Sequence, residues 1–166
     1  MDAEIERTGV AYRALSMPAY MENLLGQVGA IRDHGTFAMA YDADRVIALV
    51  ATRDIAAVAA GLLTDRSWEG QENIPVFGPD HLSPVQMAEV ISDVLGRTVT
   101  YTRLSLADVA AAMTQRGASE GVAHDMVEMI SAQCAGIYDA DQATATPTPT
   151  NFRTWCQEIL RPAVLR

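Results

Sequence analysis

Short apolar segments and amphipathic helical segments alternate along the 166 residues, and this alternation constrains the fold more than any other feature. The clearest helix begins at Ser83, where Ser-Pro-Val-Gln forms a capping signature, and ends at Gly96, which suits a left-handed C-terminal residue. Residues 99–104 are β-branched and aromatic and predict a strand, and Ser105 begins a second capping signature. Interleaved strands and helices predict an α/β protein.

The rest of the chain continues the pattern. Apolar runs predict strands at 11–17, 37–41, 46–50 and 74–77, and helical spacing predicts helices at 20–31, 54–63 and 119–138. Asp-Ala-Asp-Arg separates the runs 37–41 and 46–50, which favours a β-hairpin. Residues 139–150 lack periodicity and are expected to be an extended connector, followed by a helix capped by Thr150. The length favours a single domain, 1–166.

Composition excludes several classes of function. The chain carries a net charge of −9, and all 12 basic residues are arginine, so no lysine-dependent mechanism is possible within it. A strongly acidic surface disfavours binding to nucleic acid or anionic lipid. The N-terminal residues do not resemble a signal peptide, and no apolar run approaches the ~18 residues of a membrane span. We therefore expect a cytoplasmic protein that binds no nucleic acid and no membrane.

Several familiar catalytic motifs are absent from the sequence. It contains no glycine-rich phosphate loop, no Gly-x-Ser-x-Gly nucleophile motif and no spacing of His or Cys typical of metal ligands, so no metal site is expected. His124 lies in a predicted helix beside an apolar stripe, where it could act as a general acid or base at neutral pH. Met113, Met126 and Met129 could form the adaptable wall of a pocket.

Several short segments follow one another along the chain in the same order as in a known protein family. Residues 16–24 read Ser-Met-Pro-Ala-Tyr-Met-Glu-Asn-Leu, residues 95–101 read Leu-Gly-Arg-Thr-Val-Thr-Tyr, and residues 148–152 read Thr-Pro-Thr-Asn-Phe. In this order they resemble the C-terminal, substrate-binding half of NmrA-like proteins, which are atypical short-chain dehydrogenases/reductases with a Rossmann fold. Met17 departs from the pattern, because the family commonly has arginine there. The N-terminal half with the glycine-rich loop has no counterpart in these residues.

The resemblance implies a fold and a site. The fold is a partial Rossmann-like sheet with a β-hairpin, packed by several helices and a C-terminal helical subdomain. Residues near the nicotinamide are expected to be Pro18, Tyr20, Glu22 and Asn23, with Tyr20, Asn23 and His124 as catalytic candidates. Independently of the resemblance, the apolar and aromatic residues themselves predict a substrate pocket that includes Phe37, Met113, Met126, Met129, Ile130 and Tyr138.

Four functions remain open at this stage. The first is a small-molecule-binding protein or a cofactor-independent enzyme of the isomerase or cyclase type. The second is an NAD(P)H-dependent oxidoreductase completed by a partner chain or by oligomerisation, since the chain alone has no phosphate loop for NADP(H). The third is a non-catalytic regulatory module, and the fourth is an inactive truncated product. The strand at 11–17 and the apolar helix faces beside it are expected to self-associate or to dock on a partner.

Overall fold

The computed structural model describes residues 2–166, and it confirms the α/β class. The helices are α1 (Asp2–Glu6), α2 (Val28–His34), α3 (Thr52–Thr64), α4 (Pro84–Leu95), α5 (Leu106–Gln115), α6 (Glu120–Cys134), α7 (Asp139–Thr144), α8 (Phe152–Trp155) and α9 (Arg161–Val164). A 3-10 helix, Met21–Gln27, leads into α2, and a π-helix, Cys156–Leu160, joins α8 to α9. The strands are β1 (Tyr12–Ser16), β2 (Ala19–Tyr20), β3 (Thr36–Met39), β4 (Ile47–Val50), β5 (Gln71–Pro75), β6 (His81–Leu82) and β7 (Thr100–Arg103).

Most strand pairs are parallel, as in a Rossmann-like sheet. β1 pairs with β5, β2 with β4 and β3 with β7 in parallel, while β4 and β6 are antiparallel. The chain beyond β5 links two of these pairs, because Val76 N donates to Ser16 O at 2.8 Å and Gly78 N donates to Leu49 O at 2.8 Å. A Cβ at position 78 would lie 2.4 Å from Leu49 O, so this close approach requires glycine.

The prediction of a β-hairpin formed by 37–41 and 46–50 is wrong. β3 lies beside β7, and β4 lies between β2 and β6, so the two strands do not pair with each other. All four residues of β4 are buried, which is typical of a strand enclosed within a sheet. The segment between β3 and β4 therefore crosses from one strand pair to another, and Tyr41, which is 7% exposed, anchors it in the core.

The predicted caps of α4 are confirmed. Ser83 Oγ accepts a hydrogen bond from Gln86 N at 3.3 Å, and Gln86 Oε1 accepts one from Ser83 N at 2.9 Å. Gly96 ends the helix with φ 68°, in the left-handed region. α4 buries Met87 and Ile91 and contacts β7, α8 and the π-helix, so it joins the sheet to the C-terminal segment.

The C-terminal segment differs from expectation in three respects. Residues 139–144 form α7 instead of an extended connector. Asn151, not Thr150, caps α8, because Asn151 Oδ1 accepts from Thr154 N at 2.7 Å. A π-helix, in which hydrogen bonds span five residues instead of four, interrupts the expected helix, and it buries Leu160 while Ile159 is 36% exposed.

Thr150 is held instead by a buried carboxylate. Asp54, which is 6% exposed, accepts from Thr150 N at 3.0 Å and from Thr150 Oγ1 at 2.8 Å. Thr148 N donates to Phe77 O at 2.8 Å in the same stretch. These bonds fix the path of the chain into α8, whose Phe152 is fully buried in the core.

Replacing Asp54 with alanine is expected to lower the free energy of unfolding by about 1–3 kcal/mol, because a buried backbone N–H at Thr150 loses its acceptor. Urea denaturation measures the change. Glu89→Ala, at an exposed position in α4, is the control and is expected to have little effect. Equal midpoints for the two variants would contradict this role of Asp54.

Candidate functional site

A cavity of about 380 Å³ lies between the 3-10 helix, β3, β4 and α6, and we call it the main cavity. Its wall is mostly apolar and includes several methionine and tyrosine side chains. The methionines are Met17, Met21, Met39, Met87, Met126 and Met129, and the tyrosines are Tyr20, Tyr41 and Tyr138. Its polar side chains also include the amides of Asn23, Gln27 and Gln133. Among the described residues, no Asp, Glu, Arg or His lines this cavity.

The structure places four of the six expected pocket residues in this wall. Met126, Met129 and Ile130 come from α6, and Tyr138 follows that helix. Phe37 is fully buried in the core instead, with its ring centroid 5.7 Å from that of Tyr101. Met113 is half-buried in α5 and does not line the main cavity. An apolar ring such as that of Phe37 is satisfied by burial in the core as well as by a place in a pocket wall.

Three of the four residues expected near the nicotinamide also line the main cavity. Pro18 is buried, while Tyr20 and Asn23 are exposed, with Tyr20 37% accessible to solvent. The Tyr20 hydroxyl lies 3.9 Å from Met17 Sδ. Residues 17–21, 23 and 24 thus supply one side of the cavity, which we call the rim. The roles of Pro18, Tyr20 and Asn23 in cofactor binding and catalysis stay predictions.

Glu22 lies outside the main cavity, and its carboxylate has structural partners. Glu22 Oε1 accepts from the indole Nε1 of Trp155 at 2.9 Å, and Glu22 Oε2 accepts from Thr52 N at 3.0 Å. Thr52 N is one of the free amides at the start of α3, where a negative charge is favourable. Glu22 therefore ties the 3-10 helix to α3 and to the buried Trp155, and its predicted cofactor contact would have to compete with these bonds.

His124 is separated from the rim. It lies in a shallow groove between α5 and α6, beside Leu106, Thr114 and Val127. Residues two apart on an α-helix are about 200° apart around its axis, so His124 and Met126 cannot face the same side. The structure therefore does not bring His124 together with Tyr20 and Asn23.

Two glutamines in the wall were not identified from the sequence. Gln27 Nε2 donates to Ala38 O at 2.9 Å, and Gln27 Oε1 accepts from Ala38 N at 2.7 Å, so its amide acts as a partner for one residue of β3. Gln133 Oε1 accepts a hydrogen bond from the Tyr41 hydroxyl. No short motif marks either residue, because each depends on a partner distant in sequence.

The polar groups in the wall of the main cavity determine which part of a dinucleotide the cavity can bind. Amides and hydroxyls can bind an uncharged nicotinamide ring and its carboxamide. A pyrophosphate needs arginine, lysine or a helix N-terminus with free amides, and the cavity wall contains no cationic side chain among the described residues. The residues therefore fit the nicotinamide end of the cofactor and not its phosphates.

Residues 2–166 contain neither a cluster of metal-ligating side chains nor a membrane-spanning helix. No group of three or more His, Cys, Asp or Glu side chains in this range is placed to hold a metal ion. None of the helices described is both long enough and apolar enough to cross a bilayer.

Comparison with known proteins supports the resemblance found in the sequence. The chain is 34% identical over 152 residues to the NAD(P)H azoreductase of Xenophilus azovorans, covering 89% of this chain and 52% of that protein. It superposes on the NADPH complex of an Escherichia coli NADPH-dependent quinone oxidoreductase with a TM-score of 0.68 and 26% identity, covering 99% of this chain and 56% of the other. No family model matches the chain.

NmrA, a negative transcriptional regulator solved with NAD, has the same fold with a TM-score of 0.62. The likeness covers 96% of this chain and 55% of NmrA at 13% identity, and so concerns the fold alone. The chain thus spans about half the length of the proteins it matches. The homologues and structural neighbours of the chain are thus NAD(P)H-dependent reductases and NmrA-like proteins of the NAD(P)-binding Rossmann superfamily, in agreement with the resemblance seen in the sequence.

Proposed function

We propose that these residues form the substrate-binding half of an NAD(P)H-dependent oxidoreductase, and that a partner chain supplies the dinucleotide-binding half. The observation that carries this proposal is the main cavity, which offers an apolar, uncharged site with Tyr20 and Asn23 at its rim. Relatives named as NAD(P)H or NADPH-dependent reductases favour this function over the cofactor-independent isomerase or cyclase.

The chain's own residues would bind and orient the reactants. The rim would contact the nicotinamide, and the methionine and tyrosine wall would exclude water from the substrate. The Tyr20 hydroxyl can donate a hydrogen bond or a proton to a developing oxyanion. NAD(P)H, when bound, supplies the hydride.

The phosphates of the cofactor are best bound elsewhere. The net charge of −9 opposes an anionic ligand, and the wall of the main cavity offers it no cation among the described residues. A second polypeptide segment carrying a phosphate-binding loop would provide the missing donors.

Uncovered apolar surface supports such a partner. In the apolar stripe of α3, Ile55, Val58 and Leu62 are only half-buried, and Leu63 is 83% exposed. Among the described strands, β1 has one neighbour, β5, and all its residues are half-buried. An unpaired sheet edge and an exposed apolar helix face favour association with another protein surface.

Leu63→Arg is expected to weaken association by about tenfold or more, because it places an unpaired charge in the proposed apolar contact. Sedimentation velocity over a concentration series measures the effect, with any partner chain that copurifies kept in the sample. Leu165→Arg is the matched control, since Leu165 is 65% exposed near the C-terminus. A wild-type chain that stays monomeric and alone would contradict the proposal.

Tyr20→Phe is expected to lower kcat/KM of the assembled reductase by about 100-fold, because the rim loses a proton or hydrogen-bond donor. Oxidation of NADPH, followed by absorbance with a quinone as the acceptor, measures the rate. His124→Ala is the control and is expected to leave kcat/KM unchanged, because His124 lies outside the main cavity. A rate lost in His124→Ala and kept in Tyr20→Phe would reverse this assignment.

A further inference from the structure

Gln133 differs from the other glutamine in the main cavity. Gln27 uses both ends of its amide on the backbone of Ala38. Gln133 Oε1 accepts from the Tyr41 hydroxyl, but within residues 2–166 no hydrogen bond joins Gln133 Nε2 to a protein atom. A cavity-lining amide with its oxygen engaged and its NH2 group unused is a hydrogen-bond donor available to a ligand.

Gln133 is held from two sides by the segment between β3 and β4. Tyr41 binds its side chain, and Arg45 Nη2 donates to its backbone oxygen at 3.4 Å. Gln133 lies in the last turn of α6, where a cation is favourable and carbonyl groups lack helical partners. The position of the amide is therefore fixed before a ligand arrives.

The protonation state of the Tyr41 hydroxyl agrees with its role as the donor to Gln133. Tyr41 is 7% exposed, and burial raises the pKa of its hydroxyl to about 12. The hydroxyl therefore stays protonated at neutral pH and can donate to Gln133 Oε1. Because that oxygen is occupied, the NH2 group remains for the cavity.

We propose that Gln133 is a specificity-determining residue that donates a hydrogen bond to a carbonyl oxygen of the substrate, and that Tyr41 is its positioning residue. This inference rests on the proposed function, in which the main cavity binds the substrate. The wall has no charged side chain among the described residues, so it suits an uncharged ligand. Thioethers and tyrosine rings pack well against a flat aromatic body. The substrate class is therefore a neutral aromatic carbonyl compound.

Binding of two probes to the chain without cofactor tests the inference. The probes are 9-fluorenone and fluorene, which share the ring system and differ by one carbonyl oxygen. Gln133→Leu is expected to weaken the binding of 9-fluorenone by about two- to tenfold, which corresponds to the loss of one hydrogen bond. The binding of fluorene is expected to stay unchanged. Gln115→Leu is the control, because Gln115 is exposed in α5 and does not line the cavity.

Two further variants separate positioning from folding. Gln133→Glu keeps the acceptor for Tyr41 but, as a carboxylate, has no N–H, so it is expected to lose selectivity for 9-fluorenone as Gln133→Leu does. Tyr41→Phe leaves the amide unanchored and is expected to cause a smaller loss. The carbonyl stretch of bound 9-fluorenone is expected at lower wavenumber in the wild type than in either Gln133 variant.

The outcomes distinguish this inference from the proposed function. If Gln133→Leu and Gln133→Glu lower the affinity for both probes equally, or lower neither affinity, the cavity still binds ligands and the role of Gln133 is overturned. If the wild-type chain binds neither probe, both the inference and the proposed substrate site are overturned. Selective loss of 9-fluorenone with a shifted carbonyl stretch supports the inference.

Discussion

The carboxylate of Glu22 joins three parts of the chain on which the site depends. It accepts from the indole of Trp155 in the C-terminal core and from Thr52 N at the start of α3, while it belongs to the 3-10 helix that forms the rim. A charged acceptor bonded to two donors, one of them on a fully buried side chain, resists displacement. The rim therefore has a fixed position relative to the core, and the main cavity has a defined shape.

The chemistry of the main cavity follows from what surrounds it. Six methionines and three tyrosines make a wall that adapts to an apolar ligand, and the polar groups that remain are amides and hydroxyls. Such a site binds a neutral ring well and an anion poorly. Among the described residues, the wall of the main cavity offers no cation for a phosphate, although relatives of the chain are named as NAD(P)H- or NADPH-dependent enzymes.

Local signals in the sequence predicted local structure well. The capping box at Ser83 and the stop at Gly96 depend on neighbouring residues, and the structure confirms both. The stripe of Met126, Met129 and Ile130 depends on helical spacing, and it reaches the main cavity.

Features that depend on distant residues could not be predicted in the same way. The loop between β3 and β4 has the composition of a hairpin, but strand pairing is decided by β7 and β2, which lie elsewhere in the sequence. The roles of Glu22 and Gln133 depend on Trp155 and Tyr41, which are far away along the chain. No sequence spacing connects these pairs, and only the folded chain brings them together.

Native mass spectrometry with and without NADPH tests most directly whether this chain shares the binding of the cofactor with a partner. NADPH is expected on complexes of this chain with a partner that carries a phosphate-binding loop, and not on the isolated chain. The physical reason is that the phosphate-binding groups are absent from the wall of the main cavity among the described residues. One NADPH tightly bound to a single isolated chain would contradict the claim.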